Sequence, residues 1–433
     1  MYRVIATFKD KIEQLVKLGF FSIVISNTLV KVVALLGGTV LVRILSKTDY
    51  GLYSYVTNTM SLLLIMGDMG TGMAAMQLSQ EKYQNHEKVK GYCAFAIRLI
   101  IVFSIPLSIL IYFSNWFYPY KLDGAAELVG VLFAIPIINN LNTFLQVNLR
   151  IHLFNDKFSF LNMVSVVIHY AVLLPMSYIA GVRGAILAQY GYGIFTLIIA
   201  LFLNRKVLYL GTKNINNLTP KEKKDFFKLS IPSQINAMML QVLLLVDVFL
   251  IGLFFANEEI IASYKVATVI PSAVAFIPSS IMVFVIPYFA RNKDNYEWIK
   301  SNYKKLILIT ISVAIVIVAG GIVTAPWIIP FIFGKQYADA ITCYIILLCG
   351  FLFSGGLQTP SINIIYTQRK VKINLIITLV SGCFNIVFDL IGIQLWGSIG
   401  AAIATALTSF VGGIASTTYM IWFLRKKGIE KGE

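Results

Sequence analysis

The chain has 433 residues, of which 58% are hydrophobic and only 13% charged, and its mean hydropathy is +0.78. That excludes an ordinary soluble domain, where charged residues make up about a quarter. The net charge of +16 does not point to nucleic acid, because the basic residues are spread over alternate loops instead of forming one basic domain.

In chain order, residues 1–17 read as an amphipathic helix on the cytosolic surface, not a cleavable signal, with Val4, Ile5, Phe8, Ile12 and Leu15 on one side. Twelve apolar stretches follow, at 18–45, 53–80, 92–113, 125–150, 158–180, 183–205, 226–255, 260–290, 304–332, 339–366, 372–395 and 397–424. Each is long enough to cross a bilayer, for which about 20 apolar residues suffice. With these as alternating spans, Arg43, Lys47, Lys121, Arg183 and Lys335 fall on one side, and Lys31, Arg98 and Lys265 fall within spans. The rest of the 36 Lys and Arg lie on the opposite side. Basic loops are retained in the cytosol, so both ends, including the tail at 425–433, are expected there. Cys93, Cys343, Cys349 and Cys383 all lie within spans, with neither metal-ligand spacing nor a disulfide framework.

The halves repeat. Residues 182–200 match 398–416, aligning Gly184-Ala185 with Gly400-Ala401 and Ala188 with Ala404. Earlier, Lys17-Leu18 aligns with Lys228-Leu229 and Tyr53 with Tyr264. Six spans per half give both halves one orientation, related by an axis along the membrane normal. The expected fold is an all-α integral membrane protein of twelve transmembrane helices, in two pseudo-symmetric six-helix lobes around a central cavity. The N-lobe covers 18–205, a cytosolic linker 206–225 and the C-lobe 226–424.

Ionisable groups inside hydrocarbon are costly, which makes each a candidate site. Lys31 and Asp68 fall at similar depth in spans one and two, and Asp247 and Lys265 at similar depth in spans seven and eight. Two readings stand. In one, these groups line the cavity, with Lys31 and Lys265 on an anionic substrate group and Asp247 or Asp68 on a coupling cation. In the other, they are intramembrane ion pairs that hold each hairpin. Arg98 lies near the cytosolic end of span three, and Asp389 in span eleven has no same-depth partner in this reading. Asn139, Asn142 and Gln146 follow helical spacing in span four, and Ser233, Gln234 and Asn236 open span seven. Span ten adds Ser354, Gln358, Thr359, Ser361 and Asn363. Such groups suit a hydroxyl-rich ligand, or hydrogen bonds between helices. His169 stands alone and reads as a core residue, and the Gly67–Gly72 stretch lacks the context of a phosphate loop. No nucleophile, acid–base pair or metal motif emerges, so an enzyme is not expected.

Several segments resemble the polysaccharide branch of the multidrug/oligosaccharidyl-lipid/polysaccharide flippase superfamily. They are RILSKTDYGLYSYV at 43–56, SIPSQINAMMLQVLLLVDVFLIG at 230–252, SYKVATVI at 263–270, FGKQYADA at 333–340 and GSIGAAIATA at 397–406. Their order and spacing across two halves carry the resemblance. It implies alternating access that moves a polyprenyl-pyrophosphate-linked oligosaccharide from the cytosolic to the outer leaflet of a bacterial cytoplasmic membrane. It also implies drive from an H+ or Na+ gradient or membrane potential, with no bound cofactor. Polysaccharide polymerase and chain-length proteins are the implied partners. Lys31 and Lys265 would then meet the pyrophosphate, with Arg98 and Arg43 behind them. Asn139, Asn142, Gln146, Gln234 and Asn236 would meet sugars, and Asp247 or Asp68 the coupling cation. A cation-coupled multidrug exporter of the same superfamily is the alternative, and would give the acids the main roles.

Overall fold

A computed structural model describes residues 20–429 apart from 65–66, 83, 118–119, 209–214, 216, 293 and 369. The expected surface helix at 1–17 lies outside these residues, as do 430–433 of the tail. The chain is all-helical, with no strand among the described residues. It opens with α1 (Phe20–Ile44), α2 (Lys47–Leu64), α3 (Thr71–Glu81) and α4 (His86–Tyr112). A short α5 (Ser114–Phe117) and α6 (Ala125–Val131) lead through a 3-10 turn into α7 (Ile135–Ile151), and α8 (Asn155–Asn204) follows. Next come α9 (Pro220–Phe255), α10 (Glu258–Val274), α11 (Phe276–Arg291) and α12 (Tyr296–Phe333). The last elements are α13 (Ala340–Phe353), a π-helical turn (Ser354–Gln358), α14 (Thr359–Thr367) and α15 (Val371–Ile429).

Helix starts are written into the sequence, and the two halves use the same devices. Asn85 begins α4 by accepting the Lys88 amide at 3.2 Å, and Asn295 begins α12 by accepting that of Trp298 at 3.1 Å. Ser46 accepts the Asp49 amide at 3.1 Å to start α2, while Asn257 accepts those of Glu259 and Ile260 to start α10. Each such side chain satisfies amides that a helix start leaves without intrahelical partners. At α9 the run Thr219-Pro220-Lys221-Glu222 forms a capping box: Glu222 Oε2 accepts the Thr219 amide at 2.8 Å, and Thr219 Oγ1 accepts the Glu222 amide at 3.3 Å.

Among the described residues, seven helices are long and apolar enough to cross a membrane, or eight if the broken pair Pro220–Met239 and Leu244–Phe255 counts as one. Two of the seven are too long for one crossing. As one straight helix the 50 residues of α8 would run about 75 Å, against a hydrocarbon thickness of about 30 Å. It breaks at Gly181 (φ 56°, ψ −140°), and the 59-residue α15 breaks at Gly397 (φ 60°, ψ −138°). These glycines occupy one position of the repeat and adopt one left-handed conformation, which a side chain disfavours. Just beyond each break the chain folds back on itself. A Cβ on Gly184 would lie 1.9 Å from the Met176 carbonyl oxygen, and one on Gly400 would lie 1.8 Å from that of Gly392. The aligned Gly-Ala pairs of the sequence are thus the close contacts of two equivalent helical hairpins.

Two compact units divide between Gln241 and Val242, within α9, and not in the linker at 206–225. Phe226 is fully buried against Tyr92 and Phe95 of α4, and Phe227 meets Phe95 edge-on. The opening turns of the expected C-lobe therefore belong to the core of the first unit, along with Phe144, Ile151, Ile215 and Leu218. In the second unit Tyr303, Leu306, Ile364, Ile365, Met420 and Phe423 form one core cluster.

Candidate functional site

The second unit gathers a polar cluster in an otherwise apolar interior. Asp247 on α9 is 8% exposed, and one of its carboxylate oxygens accepts hydrogen bonds from the Tyr264 hydroxyl and, at 2.7 Å, from Thr405 Oγ1. These donors come from α10 and from α15 beyond its Gly397 break, so three separate chain segments converge on one oxygen. The Asp389 carboxyl group, fully buried on the first half of α15, lies against that of Asp247. One turn earlier on the same helical face is Asn385, also buried.

Asp247 Oδ1, both Asp389 oxygens and Asn385 Oδ1 are buried without a hydrogen-bond partner. Two adjacent carboxylates in a dry interior carry a Coulomb and desolvation cost that only a compensating positive charge removes. A proton shared between them would do so, as would a small hard cation held by carboxylate, amide and hydroxyl oxygens. Among the described residues no group of three or more His, Cys, Asp or Glu could hold a metal ion. Asp389, without a partner by sequence depth, thus finds one in Asp247. Lys265, next to Tyr264 on α10, is half-buried and within electrostatic range of Asp247. The Asp247 carboxylate is held by these two hydroxyls.

The first unit has the same framework without the acids. There Gln189 Nε2 donates to the Tyr53 hydroxyl at 3.3 Å, the position that Thr405 and Tyr264 occupy in the second unit. The offset that pairs Tyr53 with Tyr264 sets Leu36 opposite Asp247, and the offset that pairs Gly184 with Gly400 sets Leu173 opposite Asp389. Asp68 is elsewhere, in the break between α2 and α3, where its carboxylate accepts from Thr71 Oγ1 at 2.8 Å. Met69 (φ 49°) and Gly70 (φ 67°) are left-handed there, and a Cβ on Gly70 would meet the Ser230 carbonyl oxygen at 2.2 Å. Asp68 therefore sits in the turn before α3, whose N-cap is Gly70. Lys31 projects from an exposed part of α1, Arg43 is exposed in its last turn, and Arg98 is exposed on α4.

The expected stripe on α7 divides. Asn139 and Gln146 are half-buried, whereas Asn142 is buried and donates to the Gly193 carbonyl at 3.0 Å. Asn140 joins Ser104 at 3.0 Å and Asn148 joins Asn204 at 3.0 Å, so both tie helices together. Gln234 is buried beside the Gly70 break, and the Asn236 side chain lies outside the described residues. His169 sits edge-on to the rings of Tyr170 and Tyr192, as a core residue would. In the second unit Ser361 links Tyr303 (2.7 Å) and Thr417 (3.0 Å), and Thr310 bonds the Gly356 carbonyl inside the π-helical turn (2.8 Å).

Comparison with known proteins adds the following. A family model described as "Polysaccharide biosynthesis protein" matches residues 40–342. No curated protein matches the sequence. Among solved structures, the lipid II flippase MurJ in an inward closed conformation superposes with a TM-score of 0.74 at 16% identity, covering 92% of this chain and 87% of that one. An inward-facing multidrug resistance MATE family transporter of the MOP superfamily gives 0.71 at 14% identity, covering 93% and 96%. A MOP superfamily transporter from Pyrococcus furiosus, described as having a binding pocket of reverse polarity, gives 0.62 at 15% identity, covering 94% and 95%.

Proposed function

The chain belongs to the polysaccharide biosynthesis protein family, and on that premise we propose that it is a twelve-span, cation-coupled flippase of lipid-linked oligosaccharide. The observation that carries the coupling is the buried Asp247–Asp389 pair, with oxygens that have no partner. Loading it with H+ or Na+ neutralises the second unit's interior, and unloading it restores an expensive buried charge. A cation can thereby bias a two-state transporter through its different affinity for the two states. Lys31 and Lys265, with Arg98 and Arg43, supply positive charge for a pyrophosphate, while Asn139, Gln146 and Gln234 supply amides for sugars. Asn142 serves the helix contact, and Asp68 the turn before α3.

Cargo moves from the cytosolic to the outer leaflet of a bacterial cytoplasmic membrane, with both termini cytosolic. A polymerase and chain-length proteins act downstream on it. The test compares polyprenyl-linked glycans by mass spectrometry in cells with and without the protein, using an impermeant lectin to report leaflet. Build-up of intact lipid-linked oligosaccharide on the cytosolic side is expected on deletion. Unchanged lipid-linked glycans, with new sensitivity to cationic dyes, would move the reading to the multidrug exporter, which the fold shared with the MATE transporter also supports.

A further inference from the structure

The second unit carries another feature, separate from its acidic pair. A groove of about 360 Å³ lies between the start of α12 and the last third of α15. On α12 its wall is Lys300, Tyr303, Lys304 and Ile307, one helical stripe. On α15 the facing stripe is Thr417, Ile421 and Arg425. Both helices place their cations towards the same membrane face, since α12 begins there and α15 ends there. Arg425 stands eight residues from Thr417, so the groove runs about 12 Å inward from its charged mouth. Its walls are otherwise apolar, ending at the linked hydroxyls of Tyr303, Ser361 and Thr417.

Lys300, Lys304 and Arg425 are exposed and make no ion pair or hydrogen bond among the described residues. No acid lines the groove. The neighbouring surface carries the aromatic residues typical of the headgroup level: Trp422 beneath Lys426, Tyr419 stacked on Phe423, and Trp298 against Phe289. We propose that this groove is a binding site for an anionic glycerophospholipid of the cytosolic leaflet, its phosphate held by Lys300, Lys304 and Arg425 and its acyl chain lying along Ile307 and Ile421. Clustered cations at the interface attract anionic headgroups, and the apolar walls supply the hydrophobic part of the match. The lipid-linked oligosaccharide is a poorer occupant, because the groove offers hydroxyls only at its inner end and no amide for a glycan. The proposal does not depend on the transported cargo or on ion coupling.

The test is native mass spectrometry of the full-length protein titrated with phosphatidylglycerol, phosphatidylcholine and geranylgeranyl pyrophosphate. Wild type should bind phosphatidylglycerol saturably and in preference to phosphatidylcholine. The triple variant K300Q/K304Q/R425Q should lose about tenfold or more in that affinity. The charge-matched control K305Q/K372Q/K426Q should keep it. Ile421→Trp, which fills the groove and removes no charge, should also weaken it. Equal loss in the control would reduce the effect to general surface charge and overturn the proposal. Unchanged phosphatidylglycerol binding in both the triple variant and Ile421→Trp would overturn it too, and loss confined to geranylgeranyl pyrophosphate would give the groove to the polyprenyl cargo instead.

Discussion

The Tyr264 hydroxyl donates to the buried Asp247 carboxylate, while its repeat counterpart Tyr53 accepts from Gln189 at 3.3 Å. One inherited contact between equivalent helices thus serves two ends. In the first unit it is a neutral hydrogen bond that holds helices together. In the second, Asp247 and Asp389 stand where the repeat has Leu36 and Leu173, and the equivalent tyrosine and Thr405 both donate to a carboxylate. Under the proposed function, ion coupling would rest on the second unit.

Neutralising either acid tests that assignment. Asp247→Asn and Asp389→Asn should each abolish ion-dependent flipping in proteoliposomes while the protein inserts and accumulates normally. The double variant should be no worse than either single, because both acids hold one positive charge. Additive losses would mean two independent sites.

Tyr264→Phe and Tyr53→Phe form a paired comparison. Removing the Tyr264 hydroxyl takes a charge-assisted donor from a buried carboxylate and should cost about 1–3 kcal/mol, read as a fall in Tm and a weaker response of flipping to the driving ion. Removing the Tyr53 hydroxyl should cost about 1 kcal/mol and leave the ion response unchanged. Equal ion responses in the two variants would remove Tyr264 from the coupling site.

The helical hairpins predict sharp intolerance at two glycines. Gly184→Ala and Gly400→Ala each drive a Cβ to within 2 Å of a carbonyl oxygen on the neighbouring helix, 1.9 and 1.8 Å respectively. Backbone cannot yield as a side-chain tip does, so destabilisation of about 3 kcal/mol is expected, seen as loss of monodisperse protein after detergent extraction. Gly130→Ala meets nothing within 4 Å and should be neutral or mildly stabilising.

These glycines also show what was legible in the sequence. Apolar runs, basic loops and the Gly-Ala repeat carried the fold class, because hydrocarbon thickness and the positive-inside rule act on composition and leave a trace there. Asp247 was legible as a charge in an apolar run. Its partner was not: Asp389 follows it by more than a hundred residues, and only the folding of α15 against α9 brings the two together. Helix rotation escaped in the same way. Asn139, Asn142 and Gln146 share a spacing, yet Asn142 turns to the Gly193 carbonyl because α8 passes there. Likewise, Phe226 packs into the core of the first unit, which the basic composition of 206–225 does not encode.

The linker itself is latched to the first unit. Lys88 Nζ donates to the Asn217 carbonyl and to Glu222 Oε2, both at 2.7 Å, and Asn217 donates to Glu87 at 2.8 Å. Partial burial pushes the Glu222 carboxyl up, but hydrogen bonds from Lys88 and Thr219 outweigh it and hold the pKa below the usual 4.5. A depressed pKa stabilises the folded form fully above the unfolded value, and that contribution is lost as pH falls through the folded value. The latch should therefore hold at pH 7 and release only in acid, below the usual glutamate value of 4.5. Limited proteolysis at 206–225 should be slow at neutral pH and faster in acid, and Glu222→Gln should be cut at pH 7 as fast as wild type is in acid. A cleavage rate independent of both would show that the ion pair does not restrain the linker.

Lys31 and Lys265 separate the anion role from a purely structural one. Lys31 lies on an exposed part of α1, so Lys31→Ala should leave Tm nearly unchanged, as surface substitutions do, and reduce flipping about tenfold or more. Lys31→Arg keeps the charge and should restore most of the activity. Lys265 is half-buried beside Tyr264, so its alanine variant should lower both flipping and Tm, with arginine rescuing less because the site is confined. The readout is export of lipid-linked glycan at matched protein level. Full activity in Lys31→Ala would take the pyrophosphate away from α1 and leave Lys265, which lies within electrostatic range of Asp247, as the cation to examine.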